Sequence, residues 1–483
     1  KEEAVILTPK PSPKPRINSA RVFGVRPGSP VLYTIAASGQ RPLWFSAENL
    51  PEGLTLNRET GQITGKLAKR GEHKITMVAT NDLGEARKEL RLVVGDTIAL
   101  TPPMGWNSWN CWACAVDDKK IRDAADAMIK SGLINHGYQY VNIDDCWMVR
   151  LNSDDPVVGG PRRDEAGRLL TNKRFPDMKA LTDYIHAKGL KAGIYTSPGP
   201  FTCAGFAGAY QHEAHDAKQF ADWGFDLLKY DWCSYGDVVQ GKQDLDTLKK
   251  PYILMGGILK KQDRDILLNL CQYGMGDVWK WGAEVGGQSW RTAGDLGFEL
   301  DRIFEVALKN AEHRDYSRPG SWNDPDYLQI GYIGDASTGG HPKPCPITPS
   351  EQYAFMSLWC LMASPLFYSG DMGRLDEFTL NVLCNPEVID VNQDALGQCA
   401  KVLPLGDEQF AMVKDLEDGS RAVGLFNRGE LATDVAVKWS DLKLPEPKRV
   451  RDLWRHKDLD GAVTQFSAKL PRHAGVLLRL WAK

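Results

Sequence analysis

Hydrophobic spacing changes character twice along the chain. Over 17–97, short apolar runs alternate with polar residues and with turn signals: Pro27-Gly28, Pro51-Glu52-Gly53, Glu59-Thr60-Gly61-Gln62 and Asn81-Asp82-Leu83-Gly84. Runs such as His73-Lys74-Ile75-Thr76-Met77-Val78-Ala79 have strand composition, and closely spaced strands predict a small β-sandwich. From residue 98 the period differs. Apolar strands now alternate with helical stretches, which predicts βα units and a parallel sheet. Eight strand candidates end at Met104-Gly105-Trp106, Tyr140-Val141-Asn142-Ile143, Ala192-Gly193-Ile194-Tyr195, Leu227-Leu228-Lys229-Tyr230, Leu267-Leu268-Asn269-Leu270, Gln288-Ser289-Trp290-Arg291, Gly320-Ser321-Trp322 and Pro365-Leu366-Phe367-Tyr368. Helices are expected over 118–130, 177–188, 215–223 and 298–310. Eight βα repeats over 98–395 predict a (β/α)8 TIM barrel. Over 396–483 strands return, at 408–414, 421–426, 431–437, 448–453 and 475–480, and predict a C-terminal antiparallel β-sandwich. Residues 1–16 carry four prolines and no apolar period, as in a tail or linker.

The totals narrow the function classes. With 483 residues, 42% hydrophobic and 25% charged, the chain is a multidomain globular protein. A net charge of -3 argues against a nucleic-acid partner. No apolar run is long enough for a membrane span. The start, Lys1-Glu2-Glu3, is what removal of a leader would leave, and a cytosolic protein could begin the same way. Ten cysteines in this length do not make a small disulfide scaffold, and Cys111 and Cys114 form a lone CxxC. The nine histidines show no metal-ligand spacing, so no metal and no cofactor is expected.

The candidate chemistry lies at strand ends, where barrel enzymes place it. The organising stretch is Phe225-Asp226-Leu227-Leu228-Lys229-Tyr230-Asp231-Trp232-Cys233. Lys229 and Asp231 are two apart, so they share one face of a strand. Other tips carry Trp109, Asp144 and Asp145, then Cys271-Gln272-Tyr273, then Arg291 with Asp295, then Trp322-Asn323-Asp324-Pro325-Asp326. Carboxylates, a lysine, an arginine and indole faces converge without a phosphate-cradling glycine loop. That set suits a neutral polyhydroxylated ligand, and glycosidic cleavage needs two carboxyl groups. Asp324 and Asp326 compete with Asp295 as the second carboxyl, although Asn323, Asp324 and Pro325 also fit a purely structural turn.

Met104-Gly105-Trp106-Asn107-Ser108-Trp109, Asn142-Ile143-Asp144-Asp145-Cys146-Trp147, Lys229-Tyr230-Asp231-Trp232-Cys233, Trp290-Arg291-Thr292-Ala293-Gly294-Asp295 and Trp322-Asn323-Asp324-Pro325-Asp326 resemble glycoside hydrolase family 27. This is the melibiase group of α-galactosidases and α-N-acetylgalactosaminidases. The likeness runs from about residue 99 to the C-terminus, while Leu50-Pro51-Glu52-Gly53-Leu54-Thr55-Leu56 resembles immunoglobulin-like modules of bacterial secreted enzymes, a spacer more than a sugar binder. The resemblance implies a nucleophile at Asp231, ionised and helped by Lys229, and an acid/base at Asp295. Asp144 and Asp145 would hold the 4- and 6-hydroxyls of galactose, with Lys229 near the 3- and 4-hydroxyls. Arg291 and Gln272 would face the 2-hydroxyl, with Trp109, Tyr195 and Asp326 completing the pocket. It also implies disulfides Cys114–Cys146 and Cys203–Cys233. The other six cysteines are expected as buried thiols.

The same resemblance implies a terminal α-galactoside of an oligo- or polysaccharide as substrate. Gln272 replaces both the glutamate common in α-galactosidases and the small residue of the N-acetylgalactosaminidases. Its bulk is expected to exclude an acetamide. Retention of Asp144 and Asp145 argues against β-L-arabinopyranosidase, and the presence of both Asp231 and Asp295 against a non-catalytic galactoside-binding protein. A long insertion over 332–346 is expected to reshape the leaving-group side. Disulfides imply an exported, periplasmic or extracellular protein. A homodimer is compatible with the chain.

Overall fold

The computed structural model describes residues 2–334 and 341–482. Its centre is an eight-stranded parallel sheet. In chain order the strands are Met104–Asn107, Tyr140–Asn142, Lys191–Thr196, Leu227–Tyr230, Leu267–Leu270, Ser289–Arg291, Trp322–Asp324 and Leu366–Tyr368, called barrel strands 1 to 8 below. Each of strands 1 to 6 pairs with the next in sequence, and strand 8 returns to pair with strand 1. The circle closes just past strand 7, where Leu328 bridges to Tyr368 and its N–H donates to the Phe367 carbonyl at 2.8 Å.

Alternation along the strands decides what faces the barrel axis. Tyr140, Leu227, Leu267 and Phe367 join Ile98 and Tyr327 in an apolar layer of their own. Two residues further on, strand 4 carries Lys229 and strand 5 Asn269. The intervening Leu228, Leu268 and Leu270 belong to the large outer core under the helices. That outer layer forms because the helices are one-sided. In Asp118–Lys130, Ile121, Ala124, Ala125 and Met128 are buried at helical spacing, and the Asp117 side chain caps the start by accepting from the Lys120 N–H. Helix Pro349–Leu361 is the exception. It is buried on every side because the barrel covers one face and the C-terminal sheet the other.

The C-terminal part is a six-stranded sheet running, in spatial order, Lys401–Pro404, Gln409–Asp415, Arg421–Asn427, Gly475–Trp481, Arg449–Asp452 and Lys457–Asp458. It is faced by the pair Thr433–Lys438 and Gln465–Leu470. The N-terminal part stacks a four-stranded sheet on a three-stranded one around Val25, Ile35, Phe45, Ile63, Ile75 and Leu92. Arg26 fixes that sandwich to the segment entering strand 5, with Nε 2.7 Å from Asp265 Oδ1 and a guanidinium nitrogen donating to the Lys260 carbonyl at 2.7 Å. This is the end of the barrel where its strands begin, opposite the end that carries the polar tips.

The proline-rich start is not a free tail. The Leu7 N–H donates to the Tyr353 hydroxyl at 3.0 Å and the Thr8 N–H to Asn381 Oδ1 at 2.7 Å, so it lies across two barrel helices. Within the expected insertion, Tyr332–Ile333 pairs with Lys343–Pro344, and residues 335–340 lie outside the described residues. Among the described residues no helix is long and apolar enough to cross a membrane.

Candidate active site

Where the barrel strands end, a cavity of about 240 Å³ opens. Trp109, Asp144, Asp145, Tyr195, Lys229, Asp231, Arg291, Asp295 and Asp326 all line it. The shared face expected of Lys229 and Asp231 is therefore present.

Asp231 is buried at 5% exposure, yet every bond it makes is to a donor. Oδ1 accepts from the Tyr273 hydroxyl at 2.5 Å and the Trp232 N–H at 2.8 Å, and Oδ2 from the Tyr195 hydroxyl at 2.7 Å. Burial lifts its carboxyl above the ordinary carboxylate range, against the pull of Lys229 and these donors. Lys229 contributes to the charge setting of Asp231, as expected, but its closest partner is another carboxylate. Its ammonium pairs directly with Asp144 Oδ2 at 2.7 Å; burial pulls Lys229 down, but that carboxylate together with Tyr327, Cys271 and Asp231 holds it well above the ordinary lysine range. Lys229 also lies over the rings of Tyr195 and Tyr327, at 5.4 and 5.0 Å.

Asp144 and Asp145 differ despite being adjacent. Asp145 accepts from the Thr202 hydroxyl at 2.7 Å and the Ala204 N–H at 3.1 Å but pairs with no cation among the described residues. Burial raises its carboxyl to about 7, and neighbouring Asp144 adds to the rise. One acidic side chain is thus neutralised by lysine while the next titrates near neutrality.

Across the cavity, Arg291 reaches Asp326 Oδ2 at 3.1 Å and Asp295 Oδ1 at 3.3 Å. Burial opposes its charge, but these carboxylates hold it well above the ordinary range. The Asp295 side chain is 87% exposed, standing at the open edge. Asp326 sits at φ 93°, a strained left-handed setting for a residue with a Cβ. From there its Oδ2 accepts the Leu296 N–H at 3.0 Å, which ties down the segment beside Asp295. Asp324 does not line the cavity. It accepts from Asn269 at 3.0 Å and from the Asp326 N–H at 2.9 Å inside the barrel, as a turn residue would.

Gln272 is the misplaced expectation. It is fully buried, off the cavity, and its Nε2 donates to the Met275 carbonyl at 2.7 Å. The reason is parity: Leu267, Asn269 and Cys271 point inward, so Gln272 falls in phase with Leu268 and Leu270. Cys271 and Tyr273 form the wall in its place. Period-two counting from Leu267 finds Cys271. The same count reaches Tyr273, although at φ 67° that residue has left strand geometry and swings its ring back. Gly274 permits the swing: it has φ 89°, and a Cβ there would lie 2.5 Å from the Thr292 carbonyl oxygen.

Cys203–Cys233 and Cys114–Cys146 are both disulfide-bonded, with Cα atoms 5.0 and 5.1 Å apart. The first joins the residue two past Asp231 to the loop after strand 3. The six remaining cysteines are free thiols, four buried and two half-buried.

Paired carboxyls and a lysine-neutralised acid at the C-terminal mouth of a parallel barrel, with an antiparallel sheet domain behind it, define a barrel glycoside hydrolase. A family model described as Alpha galactosidase A matches residues 101–394, and one described as the Alpha galactosidase C-terminal beta sandwich domain matches 407–480. A third, of a provisional Ig domain, matches 14–95. The chain belongs to the α-galactosidase (melibiase) family, glycoside hydrolase family 27. Alpha-galactosidase 2 of Arabidopsis thaliana is 38% identical over 390 residues, 80% of this chain and 90% of its own. Alpha-galactosidase A of Cellvibrio japonicus is 36% identical over 411 residues, 80% of this chain and 93% of its own. A Bacteroides fragilis structure, provisionally described as an alpha-galactosidase/melibiase, is similar at TM-score 0.89 and 35% identity, covering 98% of this chain and 99% of its own.

Proposed function

We propose that this cavity hydrolyses terminal α-linked galactose by double displacement. Asp231 attacks the anomeric carbon and forms a covalent glycosyl-enzyme. Asp295 protonates the departing oxygen, then takes a proton from the incoming water, and the α configuration is retained. The observation that carries the reading is that Asp231 and Asp295 line one cavity in contrasting settings. Asp231 is buried and held by three donors, leaving Oδ2 with a single partner and a free lone pair. Asp295 stands at the open edge, where a leaving group departs and water enters.

Asp144, Asp145, Lys229 and Arg291 hold the sugar's hydroxyls, with Trp109 against its apolar side and Tyr195 and Asp326 bracing the walls. Cys271 and Tyr273 take the part first given to Gln272 in closing the pocket beside the 2-position. The two disulfides support export to an oxidising compartment. The decisive assay compares p-nitrophenyl α-galactoside with the α-N-acetylgalactosaminide and the β-L-arabinopyranoside. Preferred turnover of the galactoside, abolished by Asp231→Asn, is the expected result. Binding without turnover in the wild type would reduce the protein to a galactoside-binding scaffold.

A further inference from the structure

One buried histidine far from the cavity carries chemistry that the proposed reaction does not use. His473 lies in the turn between Gln465–Leu470 and Gly475–Trp481, at φ 53°, in left-handed backbone. Its side chain is 3% exposed. Nδ1 lies 2.9 Å from Oε1 of Glu351, also buried. Glu351 is itself fixed by the capping box of helix Pro349–Leu361, where Oε2 accepts the Thr348 N–H at 2.7 Å. A carboxylate only accepts, so Nδ1 carries a proton, which leaves Nε2 with either a lone pair or a second proton.

That Nε2 is buried and has no hydrogen-bond partner among the described residues. It faces two more carboxylates, Glu430 Oε1 at 3.3 Å and Asp301 Oδ1 at 3.7 Å. A lone pair and two carboxylates repel unless a cation lies among them. An imidazolium proton is one such cation, a metal ion the other. The distances favour the metal. Charge-assisted N–H to carboxylate bonds are about 2.7–2.9 Å long. Two ligands each about 2.0–2.1 Å from a tetrahedral ion lie about 3.3 Å apart. All three ligand atoms fall within 4.8 Å of one another. Arg472 holds the other Glu430 oxygen, Oε2, at 2.6 Å, which leaves Oε1 free to turn inward. A carboxylate on the far nitrogen is also how metal-binding imidazoles are oriented.

We propose that Asp301, Glu430 and His473 form a divalent-cation site of zinc-like preference, with Glu351 orienting the imidazole and water completing the coordination. Asp301 and Glu430 are 76% and 63% exposed, so an ion enters from solvent. The site joins separate parts of the fold. Asp301 lies in the first turn of helix Leu300–Glu312, immediately after the segment whose Asp295, Gly297 and Phe298 line the cavity, whereas Glu430 and His473 lie in loops of the C-terminal part. Bound metal therefore clamps the start of that helix, and the segment before it, onto the C-terminal part. Only this last consequence rests on the proposed reaction.

The test uses full-length protein stripped with chelator, then titrated with ZnCl2 by calorimetry, with bound metal counted by elemental analysis. One zinc per chain is expected in the wild type, with a raised thermal midpoint. In the Asp301→Asn/Glu430→Gln variant, which removes two direct ligands at exposed side chains, binding should weaken by more than the roughly 10–100-fold that loss of an outer-shell partner costs. Cobalt(II) in place of zinc should give the visible bands of a tetrahedral ion in the wild type alone. Three results would each overturn the proposal: no binding at millimolar zinc, binding unchanged in the variant, or nitrogen NMR showing His473 protonated on both nitrogens with added zinc present. Failure here leaves hydrolysis by Asp231 untouched, and loss of hydrolysis in Asp231→Asn leaves zinc binding untouched.

Discussion

The Tyr273 hydroxyl donates to Asp231 Oδ1 at 2.5 Å, while Tyr195 donates to the other carboxylate oxygen at 2.7 Å. Both donors favour the ionised carboxylate in a setting where burial favours the neutral acid. Removing Tyr273's hydroxyl removes one of the two. Tyr273→Phe should lower kcat/KM by roughly 10–100-fold, the loss of one hydrogen bond to a charged group. It should also move the limb governed by Asp231 to higher pH, because losing a donor to the charged form raises an acid's pKa. A pH–rate profile with p-nitrophenyl α-galactoside checks both. An unshifted limb would confine Tyr273 to shaping the pocket.

Gln272→Ala should behave differently. Its side chain is buried and bonded to the Met275 carbonyl, away from the cavity. Leaving that carbonyl unpaired costs about 1–3 kcal/mol of stability. Thermal denaturation should show the loss, while KM for the galactoside stays close to the wild-type value.

Asp145 gives the pocket a pH dependence of its own. Its carboxyl is raised by burial to about 7, so it is neutral below that pH and ionised above. The ionised form is the better acceptor for sugar hydroxyls. KM should therefore rise as pH falls through about 7. In Asp145→Asn that rise should disappear, and KM should be high at every pH. Initial rates from pH 5.5 to 8.5, an interval of roughly 1.5 on either side of the carboxyl's value, separate the two behaviours.

Cys203–Cys233 braces the loop after strand 3 against the residue two past Asp231. Replacing both cysteines by serine releases a loop with a sequence separation of 30. The chain-entropy argument gives a loss of about 3.6 kcal/mol. The double variant should unfold at lower denaturant and turn over galactoside more slowly, as should the wild type after reduction. Equal stability of the two forms would show that local packing alone holds the loop.

Much of the architecture was legible because it is periodic. Helix Asp118–Lys130 is found where its apolar spacing and aspartate cap predict it, and barrel strands 1 to 6 and 8 fall on the predicted apolar runs. Strand 7 extends past its expected end to Asp324, and strands Lys401–Pro404 and Gln465–Leu470 were not foreseen. The last two carry weak signals, since most of their residues are exposed or half-exposed. Helix Pro349–Leu361 shows no period at all, because it is covered on every side.

By itself the sequence determined which residues lie at or just past the strand ends, since apolar runs and chain order mark where each strand stops. Trp109, Asp144, Asp145, Tyr195, Lys229, Asp231, Arg291, Asp295 and Asp326 reach one cavity on those grounds. Tertiary structure alone decided the partnerships. It gave Lys229 to Asp144, turned Tyr273 onto Asp231 through a left-handed loop, and left Gln272 facing the core. It also gathered Asp301, Glu430 and His473, whose positions in the chain share no spacing. Such contacts join segments far apart in sequence, so they depend on how strands, loops and sheets meet in space rather than on any local period.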